Sequence, residues 1–527
     1  MADDLRPELG CYYEAGSQIH PNMYTPNIDA LAARSLLLKH AYVQQAVCGP
    51  SRTSMMTGRH PETSQVYDLD TYWRDAVTGN FTTIPQYFKD KGYTTVGMGK
   101  IFHPGSASGY NDPASWSLDY YDADDNFESS QLSWNNVSDT VIANTGKDLQ
   151  DQNVTDYALD LLDSFASTGE NFFMAVGFHK PHLPFVSPDS FFSYYPESSI
   201  EDVTNPFAPW EMPDDAWFKY AGLRKYDDIA ALGATGDINT TLPDETTKEL
   251  RRAYYSAVSY IDDLVGKIIN KTEELNIDNN TIIVFLGDHG FTLGEHGLWS
   301  KNSNFELATH APLMIHIPGM TDTGIESDSL VEFVDIFPTL VKATGFSDVG
   351  ICASGSESTT TLCHEGISLY PLISNSSAEL RSASFSLYPR FKKNTERMGY
   401  SIRTSQFRYT EWVKFDSATN TPTWSRNFGT ELYDHSVDPE ENYNVYADPN
   451  YSSDVTSLSA MLQAGIAREC LTNATGSSLE CTPRSENGVS GNVCFCDSAL
   501  CNASTRASMT TALTFLLPVL ILCLKNL

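Results

Sequence analysis

Three short apolar runs constrain the fold more than anything else in the chain: YTTVGM (93–98), NFFMAVGF (171–178) and TIIVFLG (281–287). Each is nearly continuous rather than alternating and too short for an independent helix, which predicts strands buried on both faces. Between them lie helical patterns, IPQYFKDKG (84–92) and ELRRAYYSAVSYIDDLVGKIINKTEEL (249–275). In the second, Tyr254, Val258, Ile261, Val265 and Ile268 recur every three to four residues, one face of a helix. Strands alternating with helices require an α/β fold, a large mixed, mainly parallel sheet sandwiched by helices. In such sheets ligands bind beyond the carboxyl ends of the strands. The residues at those ends are Lys100 with His103, His179 with Lys180 and His182, and Asp288 with His289.

The chain's 527 residues exceed what one core usually organises, so more than one domain is expected. After about residue 375 the pattern changes, and MGYSIRTSQFRYTEWVKFD (398–416) alternates as short antiparallel strands do. The expected division is a catalytic domain over 1–375, a smaller subdomain over 376–462, a Cys-rich tail over 463–508 and a hydrophobic end over 509–527. No internal repeat is evident.

Lys and Arg number 34 against 67 Asp and Glu, a net charge of −33. A field of that sign disfavours nucleic acid, so an anionic substrate needs a local basic pocket. Five of the ten cysteines (Cys470, Cys481, Cys494, Cys496, Cys501) crowd the end, and Cys352 and Cys363 are close enough to clip a short loop. Asn-x-Ser/Thr sequons stand at ten asparagines, among them Asn80, Asn136, Asn239 and Asn450. Together these predict a secretory-pathway protein, lysosomal or extracellular. Met1-Ala2-Asp3-Asp4 has neither the basic nor the apolar region of a signal peptide, so an incomplete N-terminus is expected. The segment from Ala512 to Leu524 is apolar but shorter than the ~20 residues of a bilayer span. Following small residues Asn502, Ala503 and Ser504, it has the pattern of a glycolipid (GPI) attachment signal, with a short tail anchor as the alternative.

One cysteine stands apart, in QQAVCGPSRTSMMTGRHPET (44–63). Pro50 suits a first helical turn, and Arg52 beside a helix N-terminus makes an anion site. A thiolate phosphatase loop would place Arg six residues after Cys, where this chain has Ser54. Cys48-Gly-Pro50-Ser51-Arg52-x-x-x-Met56-Thr57-Gly58-Arg59 resembles the signature of the type I sulfatases, with Met where Leu is commonest. The resemblance extends to GNFTTIPQYFKDKGYTTVGMGKIFHPG, AVGFHKPHLPF, GDHGFTLGEHGLWSKNSNFE and SLVEFVDIFPTL, all similar to the iduronate 2-sulfatase branch. It runs from residue 3 to about 450, with 104–165 more divergent.

That resemblance implies an alkaline-phosphatase-like sulfatase fold and a cysteine oxidised to formylglycine by the formylglycine-generating enzyme. In the family mechanism one hydroxyl of the aldehyde hydrate attacks sulfur and displaces the alcohol. Loss of the other hydroxyl's proton then expels sulfate. Carried over by position, Asp3, Asp4, Asp288, His289 and modified Cys48 would bind a metal, with Ca²⁺ fitting oxygen ligands better than Zn²⁺. Many sulfatases have Asn where His289 stands, and His is typical of this branch. Arg52, Lys100 and Lys301 would neutralise the sulfate, His103 would assist the hydrate, and His179 would protonate the leaving alcohol. His182, Glu295 and His296 read as supporting or structural. Taken singly, each such Lys or His is an ordinary loop residue; the ordered set is what points to a site.

Two departures stand out. The family's apolar first strand before the Asp pair is represented only by Met1 and Ala2, which predicts weak metal binding and poor folding if the chain is native as written. The branch also has aromatic residues after the DHG triplet and after the WxK lysine; here these are Phe291 and Asn302, so sugar specificity is open. The leading expectation is removal of sulfate from iduronate 2-sulfate-type sugars of glycosaminoglycans. Alternatives are choline sulfate or another sulfated polysaccharide, a phosphodiesterase or phosphonate monoester hydrolase, and an inactive surface-anchored binding protein.

Overall fold

Six strands build the sheet that carries the strand-end residues: β1 (Leu36–Tyr42), β2 (Thr94–Gly99), β3 (Phe172–Gly177), β4 (Ile283–Leu286), β5 (Leu313–His316) and β6 (Ile325–Glu332). The computed structural model describes residues 1–127, 131–353, 355–392, 395–474, 482–486 and 489–493. The three apolar runs become β2, β3 and β4, within a residue or two of the expected spans. Strand order is β6-β1-β5-β4 in one piece and β3-β2 in another. Ala2 joins the pieces, bridging Gly287 after β4 and Phe178 after β3, both in parallel. The Met1 amino group donates to Val176 O (2.9 Å) and Ala2 N–H to Leu286 O (2.9 Å), so residues 1–3 are seated mid-sheet. β1–β6 and β2–β3 pair in parallel, while β5 is antiparallel to both β1 and β4. The sheet is therefore mixed and mainly parallel, as expected.

Side chains along these strands alternate between two cores, as a two-residue period demands. Leu37, Phe285 and Met314 face one cluster with Leu250, Tyr254 and Ile261 of the long helix. Leu36, Leu38, Leu286, Leu313 and Ile315 face the other, with Met55, Phe88 and Phe337. The main helices are α1 (Cys48–Thr57), α2 (Ile84–Asp90), α3 (Gln150–Thr168), α4 (Asp244–Glu274), α5 (Ile336–Ala343) and α6 (Ser452–Ala474). In α4, Tyr254, Val258, Ile261 and Val265 are buried as the spacing predicts. Asp244 and Glu245 sit in its first turn, where negative charge complements the helix dipole. α1 is buried along its whole length and ends at Gly58, whose φ of 65° closes the helix in the left-handed region. Cys352 and Cys363 are disulfide-bonded, as their spacing suggested.

The C-terminal part is an antiparallel sheet in the order β7 (Ser384–Lys392), β8 (Thr395–Arg403), β9 (Phe407–Asp416), β10 (Thr421–Asp434). Leu458, Leu462 and Ile466 of α6 pack on it against Met398, Tyr400 and Ile402. β7 lies along the approach to α1: Ser386 Oγ donates to Val43 O (2.7 Å) and Leu387 N–H to Gln44 O (2.8 Å). Among the described residues no helix is long and apolar enough to cross a membrane. The apolar end, Cys481 and the cysteines from Cys494 onward lie outside the described residues.

Glu295 ties the parts around the N-terminal loop together. Its carboxylate takes Arg6 at 2.9 Å, Arg251 of α4 at 3.1 Å and the Leu293 N–H at 2.6 Å. Burial alone would raise this carboxyl, but Arg6 and Arg251 overcome it and hold the group at about 2. Because the folded value lies below the ordinary 4.5, this stabilisation is complete above pH 4.5 and is lost as pH falls towards 2. Glu295→Ala leaves buried Arg251 without its carboxylate and Arg6 with Glu8 alone, and should lower unfolding free energy by about 3 kcal/mol in denaturant titrations at neutral pH. The variant's deficit should shrink on acidification below pH 4.5.

Candidate active site

Of the strand-end groups named from the sequence, Lys100, Asp288, His289 and His182 meet Cys48, Asp3 and Asp4 near the start of α1, while Lys180 turns to the His182 and Pro184 carbonyls. Cys48 Sγ lies 3.4 Å from Asp3 Oδ1, 3.4 Å from His289 Nε2 and 3.7 Å from Lys100 Nζ. His289 Nε2 is also 3.5 Å from Asp4 Oδ1 and 3.5 Å from Asp288 Oδ2, with Nδ1 2.9 Å from Gly290 O. Lys100 contacts Asp3, and Lys301 contacts Asp4. Three carboxylates thus face three cations: Asp3, Asp4, Asp288, Arg52 and His289 are essentially buried, while His182 at the edge of the cluster is partly exposed.

Arg52 lies at the cluster, paired with two of its carboxylates. Its Nε donates to Asp288 Oδ2 (2.8 Å), Nη2 to Asp3 Oδ1 (3.1 Å) and Nη1 to the carbonyls of Lys100 and Ile101. Arg52 thus spans two carboxylates and two carbonyls, while Lys100 pairs with Asp3 and Lys301 with Asp4. α1 sets this geometry by placing Arg52 one turn after Cys48, with Ser51 Oγ on the Asp288 carbonyl. Asp4 sits at φ 61°, and its N–H donates to Asp288 Oδ1 (3.0 Å). Tyr254 of α4 holds the loop from behind, donating to Asp4 O (2.8 Å) and accepting from Arg6 N–H (3.1 Å).

The electrostatics divide the groups. Burial favours the neutral acid at Asp3, but Lys100 and then Arg52 hold it well below the usual carboxylate range. Asp4 moves the other way, raised by burial that Lys301 only partly offsets and by neighbouring Asp3. Asp4 Oδ2 is buried without a hydrogen bond. An orphaned carboxylate oxygen beside two more carboxylates and an imidazole fits a hard divalent cation. Asp3, Cys48, Asp288 and His289 can each offer an atom within 4.8 Å of the others, and so can Asp3, Asp4, Cys48 and His182. The Cys48 thiol is pushed up to about 12, by burial and then by Asp3. As a thiol, Cys48 is therefore protonated and a poor nucleophile near neutral pH. Burial and then Lys100 bring His103 down to about 4, so its imidazole is neutral and able to accept a proton.

His179 Nδ1 lies 2.9 Å from Asp151 Oδ1, and Asp151 also accepts the backbone N–H groups of His179 and Lys180. With Nδ1–H engaged, Nε2 is left for chemistry. His182, read from sequence as supporting, has Nε2 3.8 Å from Asp4 Oδ2, inside the cluster. Asp151 and Tyr254 were not foreseen: nothing distinguishes Asp151 from the acids around it, and Tyr254 reads as one more apolar position. Phe291 is fully buried, stacked on Tyr254 with centroids 5.6 Å apart and 6.0 Å from Lys301 Nζ, so it supports the lysine from below. His296 contacts the Glu440 carbonyl (2.8 Å), away from this cluster.

The family model for sulfatases matches residues 1–346, and that for the C-terminal part of N-sulphoglucosamine sulphohydrolase matches 294–468. The chain belongs to the sulfatase family. It is 36% identical over 517 residues to an iduronate 2-sulfatase of Mus musculus, covering 87% of this chain and 92% of that one. Identity to an iduronate 2-sulfatase of Homo sapiens is 36% over 507 residues, covering 85% and 90%. The fold also matches a phosphonate monoester hydrolase from Silicibacter pomeroyi with a TM-score of 0.65 at 20% identity, covering 91% and 96% of the chains. The protein is thus a sulfatase enzyme of the iduronate 2-sulfatase branch, a sulfuric ester hydrolase.

Asp151→Asn sets an NH2 against N–H groups that Asp151 now accepts and loosens its hold on the His179 ring. The expected result is a fall in kcat of at least about tenfold in steady-state sulfate release, with a lowered thermal midpoint.

Proposed function

We infer that this sulfatase removes sulfate from 2-O-sulfated uronic acid residues, of the iduronate 2-sulfate type found in glycosaminoglycans. It uses a formylglycine made from Cys48 and one Ca²⁺. The observation that carries the reading is the meeting of the signature cysteine with three buried carboxylates and two lysines at the strand ends. The substrate class rests on the 36% identity to proteins named iduronate 2-sulfatase over most of the chain.

Asp3, Asp4, Asp288 and His289, with residue 48 itself, would hold the cation. When bound, the cation lowers the pKa of the hydroxyl it touches and offsets charge on sulfate oxygens. The formylglycine hydrate supplies a hydroxyl nucleophile that, unlike serine, can be regenerated. Arg52 holds Asp3 and Asp288 in place and helps to keep Asp3 ionised. Lys100 and Lys301, paired with carboxylates here, turn their ammonium groups to the sulfate and stabilise its developing charge. Neutral His103 accepts a proton beside residue 48. His179, oriented by Asp151, gives a proton from Nε2 to the departing sugar oxygen.

Maturation then requires the formylglycine-generating enzyme in the secretory pathway, and the sequons fit a glycoprotein that is lysosomal or extracellular. The apolar end fits a GPI signal that would place it at the cell surface. Nucleic acid is no partner of so acidic a chain.

The test is sulfate release from a 2-O-sulfated iduronide disaccharide, with choline sulfate and a phosphonate monoester alongside. The disaccharide should be favoured by at least about a hundredfold in kcat/KM. Preference for either comparator would overturn the substrate assignment. Cys48→Ala should lower kcat by about a thousandfold or more, since no other residue offers the nucleophile. Removing divalent cations with a chelator should abolish turnover, with Ca²⁺ restoring it better than Zn²⁺.

A further inference from the structure

Asn302 follows Lys301 and carries no ring of its own. The ring next to Asn302 comes instead from the C-terminal sheet. Asn302 Nδ2 donates to the Tyr388 hydroxyl at 2.6 Å. Asn302 lies at φ 74°, a conformation asparagine tolerates better than most side chains. Its N–H donates to Ala46 O (3.3 Å), two residues before Cys48, and its carbonyl accepts from Arg390 Nη2 (2.9 Å). One residue thus links the Lys301 turn, the approach to residue 48 and strand β7.

Tyr388 is held from three sides. Its strand neighbours Ser386 and Leu387 are hydrogen-bonded to Val43 and Gln44. The Arg390 guanidinium lies 4.3 Å from its ring centroid. Arg390 in turn donates to the Asp215 and Ala216 carbonyls (2.9 and 3.3 Å), so it is fixed on the catalytic body. The Tyr388 side chain is nonetheless only partly buried. Because its hydroxyl accepts from Asn302, the phenol keeps its own proton to donate.

We propose that Tyr388 is a specificity-determining residue: its ring forms the wall against which the sulfated sugar ring packs, and its O–H donates to an oxygen of that sugar. The idea rests on the active-site reading above, since it takes the space beside Lys301 and residue 48 as the place of the sulfated carbon. The chemistry suits a pyranose, which offers C–H faces to an aromatic ring and oxygens to a phenol. An aryl sulfate such as 4-nitrophenyl sulfate offers no hydroxyl or ring oxygen beside the sulfated carbon, its nitro group standing at the far end of the ring. Asn302 acts through Tyr388 as a positioning residue.

The experiment measures kcat and KM for the 2-O-sulfated iduronide, a panel of other sulfated monosaccharides, and 4-nitrophenyl sulfate. The readout is the ratio of kcat/KM for the best sugar to that for the aryl ester. Tyr388→Phe should lower this ratio about tenfold, chiefly through KM for the sugar, the size expected for one lost hydrogen bond. Asn302→Gly, which keeps the positive φ unstrained, should lower it to a similar degree. The double variant should lose less than about threefold beyond either single one, because the two groups act as a unit. A ratio unchanged in Tyr388→Phe and Asn302→Gly, with parental thermal midpoints, overturns the proposal. So does an equal loss on sugar and aryl ester, or a parent enzyme with no preference for any sugar. If the iduronide is not cleaved but another sugar is, the substrate assignment falls while the Tyr388 test is read on that sugar.

Discussion

The active site depends on one buried arrangement, Arg52 braced between Asp3 and Asp288. A guanidinium removed from water is tolerable only with carboxylate partners, and paired carboxylates are tolerable only with a cation between them. Arg52 meets both needs and is anchored to the carbonyls of Lys100 and Ile101. That leaves Asp4 as the carboxylate with an unpaired oxygen and a raised pKa. The charge that remains to be balanced is therefore concentrated at the mouth of the cluster, where Lys100 and Lys301 can exchange carboxylate for sulfate.

The brace needs its supports in register. Ala2 seats the Asp3–Asp4 loop between β4 and β3, and Tyr254 fastens the loop to α4. The C-terminal sheet contributes through β7, hydrogen-bonded to the segment before α1, and through buried ion pairs of Arg403 and Arg408 with Glu306. Arg408 and His435 also meet Glu441, at 2.7 and 3.0 Å. A second sheet so fastened is packed firmly on the segment that leads into α1.

Much of this was legible because strand interiors and strand ends differ sharply in composition. The runs 93–98, 171–178 and 281–287 could be read as buried strands, and Lys100, His103, His179, Asp288 and His289 followed from their position past the ends. The antiparallel sheet was legible from alternation in 398–416. The antiparallel sense of β5 was not, because a central strand's direction leaves no mark on its hydrophobic pattern. Nor was the work of Asp151, Tyr254 and Tyr388, each chosen by a partner distant in sequence (28, 250 and 86 residues away). The role of Arg52 was legible as a charge near Cys48 but not as a brace, since its direction is fixed by three other segments.

The chemistry of the site turns on what residue 48 becomes. The decisive measurement is the mass of the peptide containing Cys48, from protein made in a secretory host together with the formylglycine-generating enzyme. The account predicts a peptide lighter than the thiol form by about 18 Da, the exchange of CH₂SH for CHO. An unmodified thiol throughout a folded preparation that still releases sulfate would contradict it.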